Sequence, residues 1–130
     1  MKQELVTKIL TNALNEATKK QVAISISIVD NGGHLKGFLR MDNCSFAAID
    51  VSRKKAVSAC AFGMPTNLIG EIVQTNPFMK EAFNSHSDIF YFGGGLPIML
   101  DNKIIGGIGI SGVDPNQDME IAQTALTDLT

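Results

Sequence analysis

The two histidines are the side chains of this sequence best suited to bind a metal ion or to transfer a proton. His34 follows an Asp-Asn-Gly-Gly turn at 30–33, and His86 lies in the polar segment 84–88. An imidazole can ligate a transition metal or a haem iron, or act as a general base. Each histidine also has a simpler interpretation, His34 as a turn residue bonded to the backbone and His86 as a solvated loop residue. No H-x-x-x-H, H-x-E or C-x-x-C spacing occurs, so a metal site built only from protein ligands is not predicted.

Arg40 and the Arg-Lys-Lys cluster at 53–55 could bind the carboxylates of a small ligand. Guanidinium and ammonium groups bind carboxylates through charge-assisted hydrogen bonds. The cluster also has a simpler interpretation, because Asp50 and Lys54 are four residues apart and would pair on a helix surface. No nucleophile–base pair and no carboxylate pair accompanies these cations. The sequence therefore predicts no hydrolytic or redox active site.

Seven of the twelve glycines fall in the stretch 93–112. Glycine weakens a strand, so such crowding indicates turns, bulges or the close approach of another backbone. Residues 107–112 also match the dinucleotide fingerprint G-x-G-x-x-G. That fingerprint requires a further strand with an acidic residue about twenty positions on, whereas the sequence ends at Thr130, and Asp114 would repel a pyrophosphate. We therefore expect these glycines to admit a helix, a neighbouring subunit or the edge of a flat ligand.

The helices that must position these groups are predicted from apolar residues spaced by three and four. Such spacing predicts an amphipathic helix over 3–19, an alanine-rich helix over 46–61 and a shorter helix over 66–73. Residues 78–83 predict one further helical turn. Asp114, followed by proline and a capping glutamine, predicts the start of a closing helix.

The strands are predicted from alternation of apolar and polar residues. Residues 22–29 and 34–41 flank the first turn and predict a β-hairpin. Residues 97–100 and 103–110 predict a second hairpin, and 89–92 predict a further short strand. Hairpin connections imply an antiparallel sheet, with helices available to cover it.

Composition restricts the classes of protein that this chain can belong to. Its 130 residues have the size of one domain, and 45% apolar with 18% charged residues is typical of a globular protein. The net charge is −2 and no basic run occurs, so nucleic-acid binding is not predicted. The N-terminus does not match a signal peptide and no window matches a membrane span, which favours a cytoplasmic protein. In that reducing compartment Cys44 and Cys60 are expected to be buried thiols.

Several short motifs, spread over nearly the whole sequence, occur together in one known family. In chain order they are 28–35, 40–42, 55–56 with Ala59, 62–66, 94–98, 105–112 and Asp118 with the closing helix. On these motifs the sequence resembles the GlcG/HbpS-like family, which includes the C-terminal domain of PduO-type proteins. The resemblance implies an α+β fold, a single profilin-like α/β/α domain over 1–130 with a five-stranded antiparallel sheet between helices. It also implies self-association, from dimers to octamers.

Some members of that family bind haem, and others accompany glycolate, glycerol or propanediol utilisation. The resemblance implies a non-catalytic protein that binds a small ligand, with haem or a related tetrapyrrole as the candidate. The expected partners are copies of itself and this ligand, with no nucleic-acid and no membrane partner. The motif positions expected to line a ligand pocket are His34, Arg40, Lys55, Thr66 and Gly94. Alternatively these positions fix turns, caps and subunit contacts. The alternative functions are an enzyme or accessory protein of that catabolism, or a purely structural subunit.

Overall fold

A four-stranded antiparallel sheet lies at the centre of the structure, a computed structural model that describes residues 1–129. The strands are β1 (Ser25–Asp30), β2 (Leu35–Arg40), β3 (Gly95–Leu100) and β4 (Lys103–Ser111), in the order β2-β1-β4-β3. The helices are α1 (Gln3–Lys19), α2 (Ala47–Phe62), α3 (Thr66–Thr75), α4 (Pro77–Asn84) and α5 (Pro115–Ala125). The predicted α+β fold with an antiparallel sheet is confirmed.

Helices α1 and α5 cover one face of the sheet and form the larger core. Isoleucines of β1 and β4, and the one directly before β1, point toward them and are fully buried: Ile24, Ile26, Ile28, Ile108 and Ile110. From α1, Ile9 and Ala13 fill the space above these isoleucines. The predicted helix over 3–19 is thereby confirmed, because the residues at its three- and four-residue spacing are the ones that face the sheet.

Helix α2 covers the opposite face at unusually short range, and the glycines of β4 permit this approach. A Cβ atom at Gly109 would overlap the carbonyl oxygen of Ser52, and one at Gly107 would overlap that of Ala56. The hydroxyls of Ser27 and Ser52 form a buried hydrogen bond of 2.7 Å between β1 and α2. The glycines were expected to admit a helix, a neighbouring subunit or a flat ligand, and at Gly107 and Gly109 the structure shows helix α2.

The prediction of a five-stranded sheet is wrong, because residues 89–92 do not form a strand. They belong to an irregular segment, 88–92, which we call the strap. Its backbone bonds to a side chain of α2: the Ser58 hydroxyl donates to the carbonyl of Asp88 at 3.1 Å and accepts from the N–H of Phe90 at 2.9 Å. A backbone held in this way by a helix is not paired with a neighbouring strand.

The break between α2 and α3 follows from two residues. Gly63 ends α2 in the left-handed conformation, with φ 66°, and Pro65 precedes the first residue of α3.

Within residues 1–129, no single helix is long and apolar enough to cross a membrane. Helices α2 and α3 meet that criterion of length and composition only when taken together, across a bend of 75°.

Candidate functional site

Three of the five expected pocket residues, Lys55, Thr66 and Gly94, lie close together between α2 and the start of β3. The Lys55 ammonium is 3% exposed, and its Nζ donates to the carbonyl of Ile110 at 2.9 Å and to Oδ2 of Asp118 at 3.2 Å. Oδ1 of Asp118 also accepts from the N–H of Val113 at 3.2 Å. A buried ion pair therefore connects α2, the end of β4 and α5.

Thr66 and Gly94 fix the backbone beside this ion pair. The Thr66 hydroxyl is fully buried and accepts from the N–H of Gly95 at 2.9 Å. Gly94 has φ +128°, and a Cβ atom there would lie 2.8 Å from Nζ of Lys55 and would overlap the carbonyl oxygen of Ile110. Only glycine fits this position. The motif residues thus hold the entry into β3 against the ion pair.

Burial dominates the electrostatics of this pair. It raises the pKa of the Asp118 carboxyl, an effect that the Lys55 ammonium opposes. It likewise lowers the pKa of Lys55, against the opposing effect of Asp118. A groove of about 300 Å³ adjoins the pair. Nζ of Lys55 already donates to two acceptors within the protein.

The structure places His34 and Arg40 elsewhere, at opposite ends of β2, and so roughly 20 Å apart along the strand. The His34 side chain is 81% exposed, and its Nδ1 lies 3.3 Å from Oδ1 of Asp30. That oxygen also accepts the N–H groups of Gly32 and His34, which lowers the pKa of Asp30. Arg40 donates to the carbonyl of Cys44 at 3.4 Å. The turn interpretation of His34 agrees with this geometry.

A second cavity, which the sequence did not predict, lies between α2, α4 and the strap. Its volume is about 330 Å³, and its lining comprises Lys54, Phe83, Asn84, His86, Ser87, Ile89, Phe90, Tyr91 and Phe92. We call it the aromatic cavity. The chain has seven phenylalanines and one tyrosine, so half of its aromatic residues line this one space. The sequence shows three of these aromatic residues side by side at 90–92, but such an apolar run also fits a buried strand.

Contacts from two helices, α2 and α3, hold the strap that forms the wall of the aromatic cavity. Ser58 of α2 is 1% exposed and bonds the backbone at two points, as described above. Arg53 of α2 forms an ion pair with Asp88, Nη2 to Oδ1 at 3.0 Å. At Gly70 of α3 a Cβ atom would lie 2.6 Å from the carbonyl oxygen of Tyr91. The wall is therefore built into the fold.

The polar groups of the aromatic cavity are an imidazole, an ammonium and an amide. Nδ1 of His86 accepts the N–H of Asp88 at 3.1 Å. Nζ of Lys54 lies 3.1 Å from Oδ2 of Asp50, which confirms the predicted surface pair. Oδ1 of Asn84 accepts the hydroxyl of Tyr91 at 2.7 Å. The cavity can thus contact a flat apolar molecule and present a positive charge at its rim.

No cluster of three or more histidine, cysteine, aspartate or glutamate side chains suited to a metal ion occurs within residues 1–129. Both cysteines, Cys44 and Cys60, are free and 8% exposed, so the prediction of buried thiols is confirmed. Burial raises the pKa of the Cys60 thiol, which keeps it protonated.

Two solved structures and a curated relative are similar to the chain over nearly its whole length. The crystal structure of the Klebsiella pneumoniae protein ORFY shares 32% identity, with a TM-score of 0.93 over 99% of this chain and 90% of that one. The crystal structure of a PduOC:heme complex shares 31% identity, with a TM-score of 0.89 over 97% of this chain and 92% of that one. An uncharacterised 15.0 kDa protein from the dhaT-dhaS intergenic region of Citrobacter freundii is 36% identical over 85% of this chain and 79% of that protein.

The family described as "Haem degrading protein HbpS-like" matches residues 1–127. This match spans both hairpins, the buried ion pair of Lys55 and Asp118, and the strap. The chain belongs to the HbpS-like family.

Proposed function

We propose that this chain is a non-catalytic protein that binds haem, or a related tetrapyrrole, in the aromatic cavity. The observation that carries the proposal is the lining of this one cavity by four aromatic side chains, an imidazole and an ammonium group. Aromatic rings stack on a flat macrocycle, and a cation pairs with its carboxylates. The similarity to a structure solved with haem supports the choice of ligand.

The residues present fit the ring and the carboxylates of haem. Phe90 and Phe92 meet edge to face, with ring centroids 5.2 Å apart, so the wall offers both ring faces and ring edges to a ligand. Lys54 would pair with a propionate. His86 is the imidazole of the cavity, whereas His34 stands outside it in solvent. When bound, haem supplies a redox-active iron, and this chain supplies the binding surface.

The absence of catalysis in this proposal is based on how the polar groups are engaged. Lys55 and Asp118 bond to each other and to the backbone. Ser52 and Ser58, the buried hydroxyls of α2, are bonded to Ser27 and to the strap. None of these groups forms a nucleophile with an adjacent base. We also propose that the chain assembles with copies of itself and works in the cytoplasm.

Haemin titration tests the proposal with two optical signals. Tyr91 is the only tyrosine, the chain has no tryptophan, and Tyr91 lines the aromatic cavity. We expect a shifted Soret band together with saturable quenching of tyrosine fluorescence at micromolar haemin. His86→Ala and His34→Ala show whether either imidazole changes the band. An unshifted band in all three proteins contradicts haem binding, and steady loss of the bound Soret band under a reductant contradicts a non-catalytic role.

A second candidate is an accessory role in the catabolism of small alcohols. It is favoured by one observation, the similarity to a protein encoded between dhaT and dhaS. This role predicts that diols or their oxidation products stabilise the chain in a thermal-shift screen, whereas haemin does not.

A further inference from the structure

We infer that the aromatic cavity recognises the ring and the carboxylates of a tetrapyrrole, and that the iron is not required for binding. The inference rests on the proposed function and narrows it to a ligand class, planar tetrapyrrole carboxylates with or without a metal. Three observations carry it: the hydrogen bond of His86, the aromatic walls and the position of Lys54.

The imidazole of His86 is arranged against iron ligation. Its Nδ1 accepts the N–H of Asp88, so in the neutral ring the proton resides on Nε2. A nitrogen that carries a proton has no lone pair to give to a metal. Ligation through Nδ1 would use the lone pair that accepts the N–H of Asp88. Ligation through Nε2 would require the ring proton to be on Nδ1, so in either case the bond to Asp88 must break. That bond lies directly beside Asp88's ion pair with Arg53, which holds the strap.

His34 shows the contrasting arrangement. Its Nδ1 faces the Asp30 carboxylate, which leaves Nε2 as the unprotonated nitrogen of the neutral ring. A carboxylate–histidine pair of this kind is what supports a metal ligand. In this chain it stands on an exposed turn and does not line the aromatic cavity. The imidazole suited to iron and the cavity suited to the ring are therefore separate.

The aromatic walls act on the ring system and are indifferent to a central metal. Phe90 and Tyr91 each lie edge-on to Phe92, with centroids 5.2 Å and 5.9 Å away. Phe92 itself is 57% exposed, so one of its faces is available to a flat ligand. Stacking and dispersion depend on contact area with the conjugated ring. These contacts are the same for haem and for its metal-free form.

Lys54 is placed to receive a carboxylate at the rim. Its side chain is 28% exposed, and one of the three ammonium protons is directed to Asp50. Asp50 is shared with Arg53, whose Nη2 lies 3.2 Å from Oδ1. Two cations thus surround one carboxylate and lower its pKa. Arg53 also pairs with Asp88, so these two cations and two carboxylates balance, and Lys54 offers its two remaining ammonium protons to an anionic ligand group.

The experiment compares protoporphyrin IX with haemin, using the full chain and the quenching of Tyr91 fluorescence. Free N-acetyltyrosinamide in parallel cuvettes corrects for absorption by the porphyrins. We expect the two dissociation constants to agree within about tenfold. Binding of haemin about 100-fold or more tightly than protoporphyrin IX would overturn the inference while leaving the proposed function in place. Absence of binding by both porphyrins would reject the proposed function itself.

Exposed side chains with matched controls identify the cavity as the place of binding. Phe92→Ala is expected to weaken both porphyrins about tenfold, whereas Phe78→Ala, which removes a phenylalanine that is 84% exposed and outside the cavity, leaves both unchanged. Lys54→Met is expected to weaken both by a similar factor, and Lys80→Met on α4 is its control. Equal effects of a variant and its control would contradict the assignment. A loss confined to haemin in His86→Ala would likewise overturn it.

Discussion

At the scale of single residues, Lys55 is an expected pocket residue whose ammonium has a partner within the protein. Its ammonium is expected from the sequence to contact a ligand carboxylate, and in the structure it forms an ion pair with the carboxylate of Asp118. The two residues are 63 positions apart in the chain. The sequence could place both in shared motifs. It could not show that their atoms meet, because spacing of that length carries no geometric information.

The first prediction concerns this pair. Lys55→Met leaves the Asp118 carboxylate buried without a partner, and we expect a loss of about 3–5 kcal/mol in the free energy of unfolding. Combining it with Asp118→Leu removes the second charge and should recover much of the loss, since buried pairs contribute little net stability. Urea unfolding followed by circular dichroism measures both variants. A double variant no more stable than Lys55→Met would contradict the assignment of a balanced pair.

The same pair has a pH dependence whose sign follows from burial. The pKa of Asp118 is raised in the folded state, so the native protein holds this proton more tightly than the unfolded chain does. The contribution of Asp118 to stability is therefore fully present below the pKa of the unfolded chain and is lost as the pH rises through the folded pKa. Relative to the parent protein, Asp118→Asn should lack this decline when unfolding is measured across that window.

At the scale of elements, the sequence identified most helices and strands but not the path of the strap. Residues 89–92 are a short apolar run, and such a run fits a buried strand as well as a packed irregular segment. The Ser58 hydroxyl holds this run in its irregular path, and its two backbone partners lie 30 and 32 positions away in the chain. The aromatic cavity depends on this path. The cavity could therefore not be predicted from the sequence, although the sequence does show aromatic residues concentrated at 90–92.

Ser58 and Ser52 offer a matched test of the strap. Both are buried serines of α2, but Ser52 bonds to Ser27 of β1 and has no hydrogen bond to the strap. We expect Ser58→Ala and Ser52→Ala each to lose about 1 kcal/mol of stability. Only Ser58→Ala should release the strap, which is measured as increased acrylamide quenching of Tyr91 fluorescence. Equal quenching in the two variants would contradict the role of Ser58 in holding the cavity wall.

At the scale of the whole molecule, the surface combines protected sheet edges with an apolar helical stripe. Edge strand β2 carries Lys36 and Arg40, and edge strand β3 carries Pro97, features that oppose pairing between sheets. By contrast, Leu68 and Ile72, one turn apart on α3, are 40% and 39% exposed. The predicted self-association is therefore expected to use the helices and not the sheet edges.

Light scattering coupled to gel filtration checks this expectation. The chain has a mass of 13.9 kDa, and we expect the protein to elute at an integral multiple of it. Leu68→Glu with Ile72→Glu should reduce that mass, because charges on an apolar contact face oppose association. Lys36→Glu on β2 serves as the control and should leave the mass unchanged. A parent protein that elutes as a monomer would contradict self-association.

The close contact between β4 and α2 also constrains how this protein can change over time. Gly107 and Gly109 have no space for a single carbon atom beneath the carbonyls of Ala56 and Ser52. On the other face of the same strand, Ile108 and Ile110 pack among aliphatic side chains that can exchange volume with one another. The two faces of β4 therefore differ in the substitutions that they tolerate. Any larger residue at Gly107 or Gly109 would require helix α2 to move, whereas the isoleucines can be exchanged for other aliphatic residues if the total core volume is kept.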